Sequence, residues 1–247
     1  GAGEVDAVRP LEDHELFAGS VGQTGTMTGN AIASSADVVI SVGCRFTDWS
    51  ASSYAKGVTF SIPPAKLIHI DIDPHEIGKN YPAEVGIVAD AQRAVAAIVD
   101  SLPFQGVDRS EYLAELAQLK QDWEEKLAGR RDSDRFPFTS QRPLGALRSV
   151  LPRDAIIVAG SGNTQGAVMQ TFLVYSPRTH LTSGGFSSMG WAVPAAVGAM
   201  LARPESPVVR VLGDCDVLMT PQEIALLFPR TFGMDLVNPA PALPRDK

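Results

Sequence analysis

An acidic residue follows an apolar run late in the chain, in the stretch VVRVLGDCD at 208–216. The β-branched residues predict a strand, which places Asp214 at its carboxyl end, where open α/β sheets present their ligands. A carboxylate there can serve a hard cation such as Mg²⁺, which usually keeps phosphate oxygens and water among its ligands. Helix capping by Asp214 or Asp216 would explain the same spacing equally well.

A glycine-rich stretch, GSGNTQG at 160–166, joins a predicted strand to a predicted helix. Bare backbone amides at the N-terminus of that helix can bind an anionic diphosphate. The glycine spacing differs from the dinucleotide fingerprint, which disfavours a nicotinamide cofactor, and the loop alone is typical of a tight turn between strand and helix. Together with the carboxylate, the loop indicates a metal-bound diphosphate group. Thiamine diphosphate fits that description.

Strand-like runs alternate with helix-like segments along the chain, which is typical of parallel sheets covered on both faces. The predicted strands are 36–43, 65–73, 85–90, 154–160, 179–185 and 207–214. The predicted helices are 91–102, 110–129 (with Ser110 as N-cap and Gly129 as stop), 143–151, one after the glycine-rich stretch, 189–202, and one from Pro221. The sequence therefore predicts an α/β fold of two doubly wound parallel-sheet units, 1–103 and 143–247, joined by a helical linker at 104–142.

Charge and composition narrow the classes of partner. The 247 residues carry a net charge of −7 without a long cluster of Lys or Arg, which argues against nucleic acid as a partner. Every apolar run is broken before it reaches a membrane-spanning length, and the chain does not start with a leader pattern. We therefore expect a cytoplasmic protein that binds a small molecule. Cys44 and Cys215 each end a strand-like run, which suits reduced, buried thiols.

Two longer strings resemble one enzyme family. LTSGGFSSMGWAVPAAVGAMLARPESPVVRVLGDCDVLMTPQEIA is similar to the diphosphate-binding domain of the thiamine-diphosphate-dependent acetolactate synthase, decarboxylase and lyase family. ADVVISVGCRFTDW, with KLIHIDIDPHEIGKNYPAEVGIVADA, is similar to that family's central domain. The resemblance covers roughly residues 10–227. It implies that 1–103 is a partial, Rossmann-like central domain and that 143–247 is a diphosphate-binding domain truncated at its C-terminal end.

The resemblance implies a role for individual residues. Asp214 would bind the metal, while Cys215 stands where the family usually has Gly. Met189 would lie beneath the thiazolium ring, and Gly190 would let the backbone approach the aminopyrimidine. The residues that would contact the cofactor are Gly162, Asn163, Thr164, Gln165, Ser188, Met189, Gly190, Gly213 and Asp216.

Other parts of the family's site lack an evident match. The second metal ligand of the family's motif has Asn238 as its only candidate here, and the N-terminal pyrimidine-binding domain, whose glutamate activates the cofactor, has no assignable residue. Each lost charge-assisted contact costs about 1.5–3 kcal/mol. We therefore expect binding of thiamine diphosphate and Mg²⁺ to be weak or lost, and we expect the chain alone not to carboligate or decarboxylate 2-oxo acids.

A flavin site is a further implication of the resemblance, because some relatives hold FAD in the central domain. Arg45 could pair with phosphate, and Asp71 and Asp73 could accept from ribose hydroxyls. A surface ion pair between Arg45 and Asp48, with the two aspartates capping the next turn, is the favoured interpretation.

Two functions of other classes stay open. An ester hydrolase would use a serine in a glycine-flanked turn, with His180 and Asp214 on neighbouring strand ends as base and orienting acid. The candidate nucleophiles are Ser161, Ser183, Ser187 and Ser188. Turn and capping roles for these serines are favoured. The other function is a non-enzymatic remnant that self-associates through exposed apolar surface, and we expect a homo-oligomer.

Overall fold

The computed structural model describes residues 12–102 and 106–222, and these form two compact units. The first unit contains His14–Pro143 and Met169–Thr171. The second contains Leu144–Val168, the described residues from Phe172 onward, and the first described residues of the chain. Residues 223–247, including Asn238, lie outside the described residues.

The first unit contains a three-stranded parallel sheet in the order β1–β2–β3. Its strands are β1 (Val38–Val42), β2 (Lys66–Asp71) and β3 (Val85–Val88). Its helices are α1 (Met27–Ser35), α2 (Ala91–Ser101) and α3 (Ser110–Arg131), with a 3₁₀ turn at Ser52–Tyr54. Because β2 pairs on both edges, it carries the most buried residues of the sheet, and Leu67 and Ile70 are fully buried.

An aromatic cluster forms the core on one face of this sheet. The ring of Phe46 packs edge-to-face against Phe60, His69 and Tyr81, with centroids 5.2, 5.3 and 5.3 Å away. The amide of Gly78 donates to Nδ1 of His69 over 3.2 Å. Since Nδ1 accepts, Nε2 carries the hydrogen and donates to the carbonyl of Cys44 over 3.0 Å. His69 is therefore a satisfied core histidine.

Helix α3 differs from the prediction at both ends. Ser110 is not the N-cap: Arg109 occupies that position, and the carboxylate of Asp108 accepts from the Ser110 amide over 2.9 Å. Gly129 does not stop the helix, which continues to Arg131, because one glycine inside a helix costs only about 1 kcal/mol relative to alanine. The helix packs within the first unit, where the Thr28 hydroxyl donates to the carbonyl of Leu119 over 2.9 Å.

The second unit contains a parallel sheet in the order β5–β4–β6. The strands are β4 (Ile156–Ala159), β5 (His180–Thr182) and β6 (Val208–Val211). The helices are α4 (Gln141–Val150), α5 (Asn163–Thr171), α6 (Ala192–Ala202) and α7 (Asp214–Met219), with a 3₁₀ turn at Gly184–Phe186. Pro221 and Gln222 are helical, and the rest of the helix predicted from Pro221 lies outside the described residues.

Strand β4 is buried on both of its faces. Ile157 and Ala159 pack in a cluster with Val168 of α5, whereas Ile156 and Val158 pack in a cluster with Ala192 of α6. This alternation is what helices on both sides of a sheet produce. The predicted α/β fold with two parallel sheets is therefore confirmed, and all six predicted strands are present. None of the described helices combines the length and apolarity needed to cross a membrane.

The side chain of Arg148 donates hydrogen bonds to carbonyl groups just after the C-terminal end of α4. Its guanidinium donates to the carbonyls of Leu151, Pro152 and Leu173 over 2.7, 2.5 and 3.3 Å. The same group lies over the ring of Phe172, 4.7 Å from the centroid. A planar fork of donors can satisfy several carbonyls while stacking on an aromatic ring, which an ammonium group cannot do.

We predict that Arg148→Lys lowers the free energy of unfolding by about 1–3 kcal/mol, because at least one carbonyl loses its donor and the ring loses its stacked partner. Urea denaturation followed by circular dichroism measures this. Arg210→Lys is the matched control, since Arg210 is exposed on β6, and it should change the free energy by less than about 0.5 kcal/mol. Equal effects of the two substitutions would contradict the role given to Arg148.

Candidate functional site

The strand order of the second sheet reverses at β4. The chain passes from β4 to β5 on one edge and then returns to place β6 on the other edge. Open α/β sheets bind ligands at such a reversal, outside the carboxyl ends of the strands. Ala159 and Val211 lie opposite one another at those ends, and the Gly160 amide donates to the carbonyl of Val211 over 2.8 Å. The glycine-rich loop and Asp214 therefore emerge from neighbouring strands.

The first side of the site is the N-terminus of α5. Gly162 is the N-cap residue, with a φ of 78° that favours glycine, and its side-chain position opens onto free space. Among the described residues, no side chain caps this end of the helix. The amides of Asn163, Thr164 and Gln165 have no partner inside the helix, because they belong to its first turn. This end can bind an anion through amide hydrogens and the helix dipole.

Side-chain hydrogen bonds hold this turn against the neighbouring loops. Gln165 donates through Nε2 to the hydroxyl of Thr182 over 2.7 Å. The hydroxyl of Ser187 donates to Oε1 of Gln165 over 3.2 Å. Ser161 donates through its hydroxyl to the carbonyl of Ser187 over 2.6 Å. Sequence reasoning missed Thr182, since nothing along the chain shows which hydroxyl a glutamine amide reaches.

The second side of the site is the exposed carboxylate of Asp214, which begins α7 after a two-residue connection from β6. The predicted strand stops at Val211, so Asp214 belongs to an unexpected short helix and not to the strand. Within the described residues, no three His, Cys, Asp or Glu side chains are grouped to hold a metal ion. An exposed carboxylate is an oxygen ligand of the kind that a hard cation such as Mg²⁺ binds.

The carboxylate of Asp216 lies between these two sides. The side chain is only 4% exposed. Its Oδ1 accepts from the amide of Gly190, and its Oδ2 accepts from the amide of Ser161 over 3.3 Å. A side chain on Gly160 would place its Cβ 2.0 Å from Oδ2, which explains the need for glycine there.

Met189 and Gly190 lie on the loop before α6. Gly190 has a φ of 83°, and a Cβ on it would lie 3.0 Å from Cβ of Met219. The Met189 side chain is 47% exposed, so it does not pack in the core of the described residues. Ser188 and Gly213 are not buried either. Met189 is therefore free to contact a ligand that binds over this loop.

Two family models match the sequence, one mainly in the first unit and one mainly in the second. The model described as "Thiamine pyrophosphate enzyme, central domain" matches residues 10–98, and "Thiamine pyrophosphate enzyme, C-terminal TPP binding domain" matches residues 160–233. The chain belongs to the thiamine pyrophosphate enzyme family.

Curated relatives of this thiamine pyrophosphate enzyme chain include "Probable acetolactate synthase large subunit" of Methanocaldococcus jannaschii, 36% identical over 87% of this chain and 36% of the relative. Acetolactate synthase of Mycobacterium avium is 36% identical over 87% of this chain and 34% of its own length. Glyoxylate carboligase of Escherichia coli O157:H7 is 32% identical over 87% and 36%. The chain thus spans about a third of the length of these relatives.

The residues suggested for an ester hydrolase do not come together. His180 is the first residue of β5 and lies opposite Ile157, whereas Asp214 follows the carboxyl end of β6. Strands β5 and β6 flank β4 on opposite edges, so the prediction that His180 and Asp214 occupy neighbouring strand ends was wrong. The Ser161 hydroxyl donates to the carbonyl of Ser187, the Ser187 hydroxyl donates to Gln165 of α5, and Ser183 is buried. The hydroxyls of Ser161 and Ser187 are thus engaged in contacts between the loop after β4, α5 and the loop after β5.

The residues considered for a flavin serve mainly the turn after β2. Oδ1 of Asp71 accepts from the amide of Asp73 over 2.9 Å, and Oδ1 of Asp73 accepts from the amide of His75 over 2.9 Å. These bonds confirm that the two aspartates cap the turn. The His75 amide, and next its ring, lower the pKa of Asp73. The surface pair expected for Arg45 is not formed: among the described ion pairs none joins it to Asp48.

The two cysteines of the chain differ in their surroundings. Cys44 is half-buried after β1, and burial raises the pKa of its thiol. Cys215 is exposed on α7, so the prediction of a buried thiol was wrong at this position. The strand ends before Gly213, and the short helix then turns the Cys215 side chain outward. A side chain larger than glycine is therefore tolerated there.

We predict that a disulfide reagent labels Cys215 rapidly and Cys44 slower by on the order of tenfold at neutral pH, because the raised pKa of Cys44 leaves less thiolate to react. The labelling rate of Cys44 should rise as the pH approaches that pKa. Stopped-flow measurements with 5,5′-dithiobis(2-nitrobenzoate) test this. Cys215→Ser should remove the fast phase alone and Cys44→Ser the slow phase alone, and a single rapid phase for both thiols would contradict the assignment.

Proposed function

We propose that the second unit binds thiamine diphosphate together with Mg²⁺ at the carboxyl ends of β4 and β6. One observation supports this above all others: the uncapped N-terminus of α5 and the exposed Asp214 carboxylate emerge from adjacent strands at the sheet's reversal. One side offers amide hydrogens to phosphate oxygens, and the other offers a carboxylate to the cation. These two groups complement the negative phosphates and the positive cation of a magnesium-bound diphosphate.

Each part of the site then has a separate task. The amides of Asn163, Thr164 and Gln165 would hold the diphosphate, and Asp214 would bind the cation. Met189 supports the ring system of the cofactor, and Gly190 allows the backbone to approach it. When bound, thiamine diphosphate supplies a carbon nucleophile that attacks the carbonyl of a 2-oxo acid. The chain's own residues bind and orient that group.

We propose that the chain is related to 2-oxo-acid carboligases and decarboxylases but does not catalyse these reactions alone. Support for the relationship comes from the relatives, whose names include acetolactate synthase and glyoxylate carboligase. Within the described residues no three His, Cys, Asp or Glu side chains are grouped to hold a metal ion, and each absent charge-assisted contact lowers affinity by about 1.5–3 kcal/mol. Binding should therefore be weak.

We predict that thiamine diphosphate with Mg²⁺ binds the chain in an isothermal titration and that Asp214→Asn reduces the affinity by about tenfold or more, since a charge-assisted contact is lost. Glu205→Gln is the matched control because it removes the same charge from an exposed site before β6, at the opposite end of the sheet. The control should bind as the unaltered protein does.

Two results would count against the proposed site. The first is a titration without heat at millimolar cofactor, and the second is an equal loss of affinity in the Asp214 and Glu205 variants. Repeating the titration without Mg²⁺ separates the two contributions. The amide contacts at α5 should then give weaker binding, and Asp214→Asn should no longer lower it.

We further propose that the protein is cytoplasmic, that its ligand is a small molecule and not nucleic acid or a membrane, and that it forms a homo-oligomer. The net charge of −7 supports the choice of ligand. Exposed apolar side chains beside the site support association, since large apolar patches favour contact between chains. These side chains are Phe186, Met189, Leu218 and Met219.

We predict that light scattering finds a dimer or larger species, and that Phe186→Ser with Leu218→Ser shifts the population towards monomer. Both side chains are strongly exposed, at 95% and 72%, so their removal should not disturb the core. Leu201→Ser is the control, because Leu201 is 63% exposed near the far end of α6. A monomer at all concentrations, or an equal shift in the control, would contradict association through this patch.

A further inference from the structure

We propose that Asp216 is a positioning residue: its buried carboxylate ties the glycine-rich loop to the Met189–Gly190 loop, so that the site is organised before a ligand binds. The proposal rests on the function proposed above. It assigns Asp216 a task different from direct contact with the cofactor.

The two acids of α7 face different surroundings. Asp214 is exposed, whereas Asp216 is 4% exposed. Residues two apart on a helix do not share a face, so this separation follows from the helix that begins at Asp214. Asp214 is thus directed to solvent and available to a cation. Asp216 is directed inward and has little surface left for a ligand.

Hydrogen bonds compensate for the burial of the Asp216 carboxylate. A buried acidic group is costly unless donors satisfy its oxygens, and here each oxygen has a backbone amide. Oδ1 accepts from Gly190 and Oδ2 accepts from Ser161. Because both donors are main-chain groups, the contacts fix the position of the backbone itself in two loops that are 29 residues apart in the chain.

Neighbouring contacts reinforce this connection between the loops. The hydroxyl of Ser161 donates to the carbonyl of Ser187, three residues before Gly190. The hydroxyl of Thr220 donates to the carbonyl of Gly190 over 3.4 Å. The loops after β4 and β5 are therefore joined to α7, the element that carries Asp214.

Steric constraints point to the same residue. The Cβ of any side chain at position 160 would lie 2.0 Å from Oδ2 of Asp216, and 2.9 Å from Cβ of Leu212. Gly160 therefore leaves the space that the carboxylate occupies. Because Gly160 has no side chain, the Asp216 carboxylate can make its buried contacts.

The first measurement is amide hydrogen exchange on the full chain without cofactor. Asp216→Asn keeps the shape of the side chain but turns one acceptor into a donor, which cannot receive an amide hydrogen. We expect the Ser161 and Gly190 amides to exchange faster by on the order of tenfold. Asp214→Asn should leave both rates unchanged. This contrast separates the positioning contact from the proposed cation ligand.

The second measurement is the titration with thiamine diphosphate and Mg²⁺. Asp216→Asn should weaken binding by about 10–100-fold, the range seen when residues that orient ligands are removed. Arg148→Lys controls for a general loss of stability, because it destabilises the same unit far from these loops. It should leave both the affinity and the two exchange rates unchanged.

A second variant keeps the test decisive if Asp216→Asn does not fold. Gly160→Ala retains the carboxylate but displaces it, and it should speed exchange at the same two amides and weaken binding similarly. Unchanged exchange in either folded variant would overturn the proposal, as would faster exchange with unaltered affinity. If the unaltered protein binds no cofactor while the two amides still depend on Asp216, the proposed function fails, and with it the positioning role for that ligand.

Discussion

Parallel pairing of β4 on both of its edges is the constraint on which the rest of the second unit depends. Paired strands align their carboxyl ends, so the segments that leave β4 and β6 have to start side by side. The strand is short and buried on both faces, which leaves it no freedom to shift register without exposing its apolar side chains. The alignment of an amide-rich turn with a carboxylate is thus a result of sheet formation and needs no separate device.

Much of this arrangement could be predicted from the sequence because strand identity is a local property. Runs such as VVIS and IIVA carry β-branched residues over the right length, and glycines mark where they end. The ends of helices were less predictable. Ser110 and Gly129 have the residue types of an N-cap and of a helix end. However, the carboxylate of Asp108 accepts from the Ser110 amide at the start of α3, and the helix continues past Gly129 to Arg131.

The order of the strands in the second sheet and the directions of the side chains on α7 could not be predicted from the sequence. The position of His180 depends on which edge of β4 receives β5, and this is decided by packing across the sheet. The same holds for the exposure of Cys215 and the burial of Asp216, which are one residue apart on a short helix that the sequence did not indicate. Resemblance to a family suggested candidate site residues but did not separate those that face solvent from those that hold loops together.

The close fit between Gly160 and Asp216 also limits how this sequence can change over time. A side chain gained at position 160 collides with the carboxylate, while loss of the carboxylate leaves two main-chain donors unmatched. A replacement at position 160 or at position 216 alone therefore disrupts these contacts, and only simultaneous replacement of both residues could restore a compatible pair. The two positions should therefore vary jointly among descendants of this chain, as an instance of epistasis imposed by shape.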